Sequence, residues 1–265
     1  MIAYPHIDPE IVRIGPFALR WYGLMYLLGF GASYLLVRRS LRKNDWILGG
    51  KGLSPDFLPS FYTYLVFGLV IGARLGYVLF YDFREYLQRP WDVFAIWQGG
   101  MSFHGGLIGS VIAGLWCCRK FRADAWSAAD LVIPTAPIGL GLGRLGNFIN
   151  GELYGRVTDA PWGMVFPGGG LSPRHPSQLY EFLLEGVMLF TILWFLKDRI
   201  RRRGVLFALF LILYGAFRIF AEFFREPDPQ LGFILGIFTM GQVLSSVILV
   251  AGVAIMILMN RRREA

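Results

Sequence analysis

Charged residues are scarce in this chain of 265 residues. Asp, Glu, Lys and Arg make up 17% of the sequence, whereas soluble domains average roughly 25%. Hydrophobic residues reach 55%, and they form runs as long as the roughly 20 residues that cross a bilayer. This composition excludes disordered and fibrous proteins, and it argues against the one or two soluble domains that the length alone would allow. The sequence therefore predicts a polytopic membrane protein.

Cysteine and histidine are nearly absent. The two cysteines, Cys117 and Cys118, are adjacent, so they build neither a disulfide framework nor a zinc site. There are three histidines, and the chain contains no His-Glu-x-x-His, Gly-x-Ser-x-Gly or Walker motif. Residues 141–146 match Gly-x-Gly-x-x-Gly, but they end an apolar run instead of following a strand of a βαβ unit. The missing motifs argue against the usual zinc hydrolases and serine hydrolases. The context of residues 141–146 argues against a dinucleotide-binding protein.

The apolar runs number seven. They predict an all-α fold, a polytopic membrane helix bundle with seven transmembrane helices, in one integral membrane domain over residues 1–265. No basic stretch or small-residue cleavage site precedes the first run, so we expect that run to be retained as a span. The predicted segments are 18–37, 59–80, 103–118, 127–145, 178–196, 205–224 and 236–259.

The basic residues predict an orientation. The net charge is +8, but Lys and Arg form short clusters between apolar runs, which is typical of proteins oriented against an anionic leaflet and not of nucleic-acid binders. With the N-terminus periplasmic and the C-terminus cytoplasmic, 16 of the 26 lie in cytoplasmic loops. On the outer side, residues 84–98 predict an interfacial helix with aromatic anchors, and the Gly- and Pro-rich residues 146–177 predict a small periplasmic head.

A polar stripe runs along the sixth apolar segment. Tyr214, Arg218, Glu222 and Arg225 are spaced by 4, 4 and 3 residues, which places them on one side of a helix. An ionisable side chain in hydrocarbon costs several kcal/mol, so each is expected to face protein, water or an anion. A structural Arg218–Glu222 pair is the simpler alternative, although it does not explain the other two residues.

A second polar group follows the fourth apolar segment. Residues 143–156, GRLGNFINGELYGR, place Arg144, Asn147, Asn150 and Glu152 among four glycines. Glycine lets backbone N–H groups approach a ligand, and arginine offers a planar fork to a phosphate. The alternative is a glycine-rich turn with solvated polar groups, but such a density of polar groups at the bilayer edge is costly without a partner.

Other candidates are single residues. His104 lies near the outer end of the third segment and is either a structural donor or a base that works near neutral pH. Tyr26 interrupts the first segment and serves packing or ligand binding. Glu181 and Glu185, four residues apart in the fifth segment, repel if both are ionised, so each needs a partner or carries a proton. Arg74 pairs internally or lines a cavity, beside a Gly-x-x-x-Gly-x-x-x-Gly packing ridge at 68–76.

These residues alone indicate a protein that binds phospholipid phosphate and has the groups to turn it over. Residues 143–155, GRLGNFINGELYG, also resemble the signature of the prolipoprotein diacylglyceryl transferases. The resemblance extends over essentially the whole chain. The further blocks that carry it are 22–26 YGLMY, 101–109 MSFHGGLIG, 174–181 RHPSQLYE, 214–218 YGAFR and 241–242 GQ.

The resemblance implies an enzyme of the bacterial cytoplasmic (inner) membrane. It implies transfer of the sn-1,2-diacylglyceryl group of phosphatidylglycerol to the lipobox cysteine of a prolipoprotein signal peptide, with release of glycerol phosphate and without a metal or other cofactor. The residues that match the family's functional positions are Tyr26, His104, Arg144, Asn147, Gly155 and Arg218. The expected supporting or lipid-contacting residues are Asn150, Glu152, Tyr214, Glu222 and Arg225.

The chemistry that this family implies suits the residues present. A cysteine thiolate is the nucleophile, and it belongs to the substrate, so the enzyme needs no nucleophile of its own. Arg144 and Arg218 are expected to stabilise the charge on the departing phosphate, and His104 to accept the thiol proton, with Glu152 or Glu222 as the alternatives. A lipid transporter or scramblase would also bind phosphate, but the chain shows no internal repeat. A silent scaffold would not need polar groups gathered at one membrane face.

We predict that Arg144→Ala abolishes lipid transfer while the protein still folds and inserts, because the substitution removes a phosphate-binding guanidinium. Transfer to a lipobox peptide, measured beside detergent-extracted protein yield, tests this. Unchanged transfer would contradict the assignment of Arg144 to the phosphate.

Overall fold

The computed structural model describes residues 2–5, 7–15, 17–43, 55–95, 99–227, 233–234 and 237–261. Within these ranges the chain is mostly helical, as the sequence predicts. Two compact units are distinguished, one formed by Met1–Lys43 with Ala129–Ala265 and the other by Asn44–Ala128, and each is described by itself. The prediction of a single domain therefore stays a prediction.

Helices coincide with all seven predicted apolar segments. The α-helices are α1 (Trp21–Lys43), α2 (Phe57–Phe80), α3 (Phe83–Gln88), α4 (Phe103–Lys120), α5 (Ala125–Val132), α6 (Ala136–Ile149), α7 (Ser177–Glu181), α8 (Leu189–Leu196), α9 (Val205–Glu222) and α10 (Met240–Arg261). Short 3₁₀ turns cover Pro90–Phe94 and Ile133–Thr135, and a π-helix covers Phe182–Met188. The turn at Ile133–Thr135 joins α5 to α6, and the π-helix joins α7 to α8.

Five of these helical stretches in the described residues are long and apolar enough to cross a membrane. They are Phe57–Phe80, Ala125–Ile149, Ser177–Leu196, Val205–Glu222 and Met240–Arg261. The chain is therefore a multi-pass membrane protein. Helices α1 and α4 are not in this group, so the count of seven spans remains a prediction.

Glycines bring α2 and α4 into backbone contact. A Cβ added at Gly72 would lie 2.8 Å from the Cα of Gly109, and one at Gly76 would lie 2.8 Å from the Cα of Gly105. No side chain fits between the two helices at these levels, so only glycine permits the approach. The predicted packing ridge at 68–76 is confirmed.

Close contacts of the same kind order the helices of the other unit. Gly141 of α6 and Gly186 of the π-helix face each other, since a Cβ on either would lie within 2.9 Å of the other's Cα. The hydroxyls of Ser33 on α1 and Thr135 before α6 are 2.6 Å apart in a buried hydrogen bond. Gly215 on α9 lies against α10, where a Cβ would meet the Ser245 carbonyl at 2.8 Å.

The predicted head segment, 146–177, folds as a compact irregular structure. Its first residues, through Ile149, complete α6 instead of leaving the helix. The rest is held by isolated bridges such as Val157 with Arg174, and by a small apolar core of Tyr4, Phe148, Met164 and Phe166. The Tyr4 hydroxyl donates to the Phe148 carbonyl at 2.6 Å, which ties the N-terminal segment to this core. Its periplasmic location stays a prediction.

Two antiparallel hairpins depart from the all-α expectation. Strands β1 (Glu10–Ile14) and β2 (Phe17–Arg20) pair with a bulge between Glu10 and Val12, and β3 (Phe233–Ile234) pairs with β4 (Phe238–Thr239). Both hairpins directly precede a long helix, α1 and α10 respectively.

The predicted interfacial helix over 84–98 is broken in two. Helix α3 and the 3₁₀ turn Pro90–Phe94 replace it, because Pro90 has no N–H to continue the α-helical pattern. Trp91 and Phe94, two of the expected aromatic anchors, are exposed. Residues 96–98 lie outside the described residues, and so do Lys51, Arg262 and Arg263 of the predicted cytoplasmic side.

We predict that Gly72→Ala destabilises the protein by about 1–3 kcal/mol, because a methyl group would overlap the α4 backbone. The matched control is Gly31→Ala on α1, where nothing lies within 4 Å, and where alanine is expected to be neutral or to stabilise by about 0.5–1 kcal/mol. Thermal unfolding in detergent measures both. Equal melting temperatures for the two variants would rule out the tight contact.

Candidate functional site

Arg144 and two glutamates meet where α6 crosses the fifth apolar segment. The contact of Gly141 with Gly186 places the next turn of α6, which carries Arg144, beside Glu181 and Glu185. Glu181 ends α7, and Glu185 lies in the π-helix. A π-helical turn widens the helix and is frequent at functional sites, and here it accompanies two carboxylates on one side.

Glu181 is the centre of the site. Its Oε2 lies 2.7 Å from Nε of Arg144, and its Oε1 lies 2.8 Å from Nη1 of Arg218. Nη1 of Arg225 is 3.6 Å from the same Oε1. The Glu181 side chain is only 1% exposed. One buried carboxylate thus gathers guanidinium groups from α6, from α9 and from the segment after α9. We call Arg144, Arg218 and Arg225, with Glu181, Glu185 and Glu222, the arginine cluster.

Glu185 adds charge without a direct hydrogen bond. Its carboxylate is fully buried, with Oε2 3.6 Å from Nη2 of Arg144 and Oε1 3.7 Å from Nη1 of Arg218. Neither oxygen has a hydrogen-bond partner in the described residues. A buried carboxylate is strongly unfavourable unless opposite charge lies nearby, and the two guanidinium groups supply that charge.

Glu222 connects the cluster to α10. Its Oε2 lies 2.9 Å from Nη2 of Arg218, and its Oε1 accepts a hydrogen bond from the Thr239 hydroxyl at 3.1 Å. Gly241 lies against the same carboxylate, which leaves no room for a Cβ there. The expected Arg218–Glu222 pair is therefore present, but it is one part of a larger network, since Arg218 also binds Glu181.

Three guanidinium groups and three carboxylates balance when all are ionised, so the cluster is stable among apolar helices without further charge. An incoming anion therefore has to compete with a glutamate for a guanidinium group. Arg144 is the most accessible, with 19% of its side chain exposed against 11% for each of the other two arginines. The exposed side of Arg144 is the point at which an anion can first bind.

The amide side chains form a second group at the end of α6. Asn147 and Asn150 each donate from Nδ2 to Oε1 of Glu152, at 2.8 and 3.1 Å. The Glu152 carbonyl accepts from Nε2 of Gln178 at 2.6 Å, which ties this turn to α7. The structure thus brings together three residues that the sequence singled out, one turn beyond Arg144.

Tyr26 belongs to a tyrosine pair on α1. Its hydroxyl is 3.1 Å from that of Tyr22, and the two rings pack edge to face at 5.1 Å. Tyr22 lies on Gly146 of α6, where a Cβ would meet its ring at 2.7 Å. Tyr26 is 40% exposed, and its predicted role in ligand binding stays a prediction.

Gly155 and Tyr214 make contacts typical of packing. The Gly155 N–H donates to the His175 carbonyl at 2.8 Å, and a Cβ there would lie 2.7 Å from that oxygen. The Tyr214 ring stacks on Phe210 at 5.7 Å beside the buried Leu189 and Leu193. Their predicted roles toward a substrate stay predictions.

His104 lies in the second unit. It is the second residue of α4, after Ser102, whose hydroxyl caps the helix by accepting from the Gly105 N–H at 3.3 Å. The imidazole is exposed and contacts the Phe103 ring at 5.6 Å. Its role as a base stays a prediction.

His175 packs against the segment that follows α9. Its ring packs edge to face on Phe224 at 5.2 Å, and Nδ1 lies 3.0 Å from the Tyr180 hydroxyl. That hydroxyl accepts a hydrogen bond from Nε1 of Trp162 at 2.7 Å. Burial lowers the pKa of His175, which favours the neutral imidazole. The contact with Phe224 places the His175 ring beside the residue that precedes Arg225.

From the sequence alone, Glu181 and Glu185 were recognised only as two carboxylates that repel if both are ionised. Two acidic residues four apart in an apolar helix were the available signal. Thr239 and Gln178 carried no such signal, because neutral polar residues are common at helix ends and their contacts cross long stretches of sequence.

Comparison with known proteins gives a consistent result. The family model described as "Prolipoprotein diacylglyceryl transferase" matches residues 9–258. A protein of Geobacter sulfurreducens is 52% identical over 98% of this chain and 98% of its own length. One of Desulfotalea psychrophila is 50% identical over 95% of this chain and 93% of its own, and one of Coxiella burnetii is 52% identical over 95% of both. All three are named phosphatidylglycerol–prolipoprotein diacylglyceryl transferase. The chain belongs to the prolipoprotein diacylglyceryl transferase family.

Proposed function

We propose that this protein transfers the sn-1,2-diacylglyceryl group of phosphatidylglycerol to the thiol of a lipobox cysteine, the first step of lipoprotein maturation. Membership of a transferase family and the names of relatives at about 50% identity support this activity. We place the protein in the bacterial cytoplasmic membrane as one domain of seven spans. The N-terminus and the head at 146–177 are periplasmic in this proposal, and the C-terminus is cytoplasmic.

The observation that carries the proposal is the gathering of three arginines around Glu181 among membrane-spanning helices. The glutamates balance these charges in the absence of substrate, and an anion that replaces a carboxylate at the partly exposed Arg144 meets guanidinium groups that are already in place. A lipid phosphodiester is an anion that reaches this depth by way of its own acyl chains. Arginine suits it because the planar guanidinium group donates two parallel hydrogen bonds to phosphate oxygens.

In the proposed reaction the cysteine sulfur attacks the glyceryl carbon that bears the phosphate. A carbon–sulfur bond forms, the carbon–oxygen bond breaks, and its electron pair leaves on glycerol phosphate. Arg144 and Arg218 stabilise the negative charge that grows on the leaving group, and they are already oriented by Glu181 before the substrate arrives. No cofactor enters the proposal, and the thioether product retains both acyl chains.

The thiol proton goes to His104 in this proposal. The imidazole is exposed at the start of α4. The alternative carboxylates, those of Glu222 and Glu152, already form ion pairs or accept hydrogen bonds. Glu222 binds Arg218 and Thr239 through different oxygens, and Glu152 accepts two amide hydrogen bonds on one oxygen. A base with free lone pairs accepts a proton without first losing such contacts.

The remaining site residues are proposed to bind substrate. Arg144 takes the phosphate and Arg225 extends the positive surface, while Asn147, Asn150 and Glu152 offer polar contacts to the glycerol. Three further residues that we propose to line the substrate site are Tyr26, Gly155 and Tyr214. Besides the lipid, the partners are the prolipoprotein signal peptide and the bilayer itself, and no nucleic acid is involved.

A turnover assay tests the function. The purified protein in detergent is incubated with phosphatidylglycerol and a peptide with a lipobox cysteine, and glycerol phosphate release is followed. Release that needs the cysteine is the expected result, and a peptide with serine in its place is the control. Release without the cysteine would indicate a phospholipase, and binding without release would indicate a transporter or a scaffold.

We predict that Glu181→Gln lowers turnover at least tenfold and destabilises the protein, because the neutral amide leaves three guanidinium groups without their shared charge. Breaking a buried pair costs about 3–5 kcal/mol, although the partly exposed arginines reduce this figure. Glu226→Gln is the matched control, since Glu226 pairs with Arg174 and is 44% exposed. That surface pair is expected to contribute no more than about 1 kcal/mol. Similar turnover and similar melting temperatures in both variants would show that Glu181 has no role in the site.

A further inference from the structure

Arg74 is a buried arginine that the proposed reaction does not use. It lies on α2 with 4% of its surface exposed, and no carboxylate among the described residues forms an ion pair with it. Its guanidinium group instead donates to backbone carbonyls on both sides of residues 96–98. The acceptors are the carbonyls of Val93 at 2.8 Å from Nε, Gly99 at 2.6 Å and Gly100 at 3.0 Å from Nη1, and Asp92 and Ala95 from Nη2.

The five carbonyls match the five N–H donors of a guanidinium group. Tyr86 covers one side, with its ring centre 5.2 Å from Cζ of Arg74. The ring of Tyr77 lies beside the same guanidinium at Gly100, since a Cβ on Gly100 would come within 2.8 Å of both. The ammonium group of lysine has three N–H donors on a single nitrogen, so lysine cannot donate to five carbonyls arranged in this way. Arg74 therefore holds the described backbone from Asp92 to Ala95 and the path through Gly99 and Gly100.

That path leads directly into α4. Two residues after Gly100, the Ser102 N–H donates to the Ala73 carbonyl at 2.8 Å, next to Arg74 in the chain. Ser102 then caps α4, and His104 is the second residue of the helix. The residues that lead into α4, the helix that carries His104, are thus held by contacts with Ala73 and Arg74.

We propose that Arg74 is a positioning residue for His104, acting through Gly99, Gly100 and the cap at Ser102. The inference rests on the proposed function, in which His104 accepts the thiol proton. A displacement of about 1 Å at a reacting group costs up to about a hundredfold in rate, so a positioning residue has a measurable effect on turnover.

A pair of adjacent glycines tests the proposal. Gly99 and Gly100 have φ values of +88° and +73°, so alanine strains the backbone at either position. Only at Gly100 does the new methyl group meet Arg74 and Tyr77, because nothing lies within 4 Å of a Cβ at Gly99. Gly100→Ala is expected to lower kcat by about tenfold or more with the KM for lipid unchanged. Gly99→Ala is expected to stay within about threefold of the unsubstituted protein. Equal effects of the two variants, or no effect of either, would overturn the proposal.

A spectroscopic measurement separates this inference from the proposed function. The chain has three histidines, so ¹⁵N-histidine labelling gives few imidazole signals, and His104→Gln assigns the one from position 104. Arg74→Lys and Gly100→Ala are expected to shift the His104 signal and leave that of His175 in place. An unmoved His104 signal in both variants would refute the positioning role even if turnover fell.

The signal also reports on folding. If Arg74→Lys brings all the histidine signals together at the position of an unfolded chain, that variant is unfolded, and the comparison of Gly99→Ala with Gly100→Ala decides the question. If the unsubstituted protein shows no cysteine-dependent turnover, the proposed function fails, while the shift of the His104 signal still establishes or rejects its dependence on Arg74.

Discussion

The neutralisation of buried arginines by Glu181 is the interaction on which the site depends. A guanidinium group among apolar helices is unfavourable unless opposite charge lies within a few ångströms. Glu181 supplies that charge to Arg144, Arg218 and Arg225 at once, and so it joins elements that are distant in sequence. The same pairing keeps the positive groups oriented in the absence of substrate, which is the condition for electrostatic stabilisation of a leaving phosphate.

Glycine contacts make that pairing possible. Charged side chains of fixed length meet only if their helices approach closely, and Gly141 against Gly186 removes the side chains that would separate α6 from the π-helix. Gly241 has the same effect at Glu222, and Gly146 lets Tyr22 lie on α6. In membranes, close packing of small residues replaces the hydrophobic effect as the force that orders helices. Gly141, Gly186 and Gly241 therefore serve the geometry of the arginine cluster.

Arg74 of α2 and Arg218 of α9 are stabilised within their helices by different means. Arg218 is compensated by carboxylates of Glu181 and Glu222, which leaves it able to exchange a carboxylate for a phosphate. Arg74 has all five donors taken by backbone carbonyls, which cannot leave without unfolding their loop. The first arrangement suits binding, whereas the second suits a permanent structural link. The partners, more than the residue type, thus distinguish the roles of the two residues.

Composition and periodicity by themselves determined the membrane class, the seven helical segments and the polar residues of α6 and α9, because hydrophobic runs and helical spacing are local properties. The Gly-x-x-x-Gly ridge at 68–76 was predictable for the same reason, because it depends only on glycines spaced four residues apart. Only the tertiary structure decided that Glu181 joins three arginines, that Arg74 binds carbonyls, and that residues 146–149 still belong to α6. These outcomes depend on which helices meet and at what distance. Glu181 and Arg225, for example, are separated by dozens of residues, and nothing in the sequence between them indicates that they are in contact. The hairpins before α1 and α10 were missed for a related reason, since strands of two to five residues give too short a pattern to recognise.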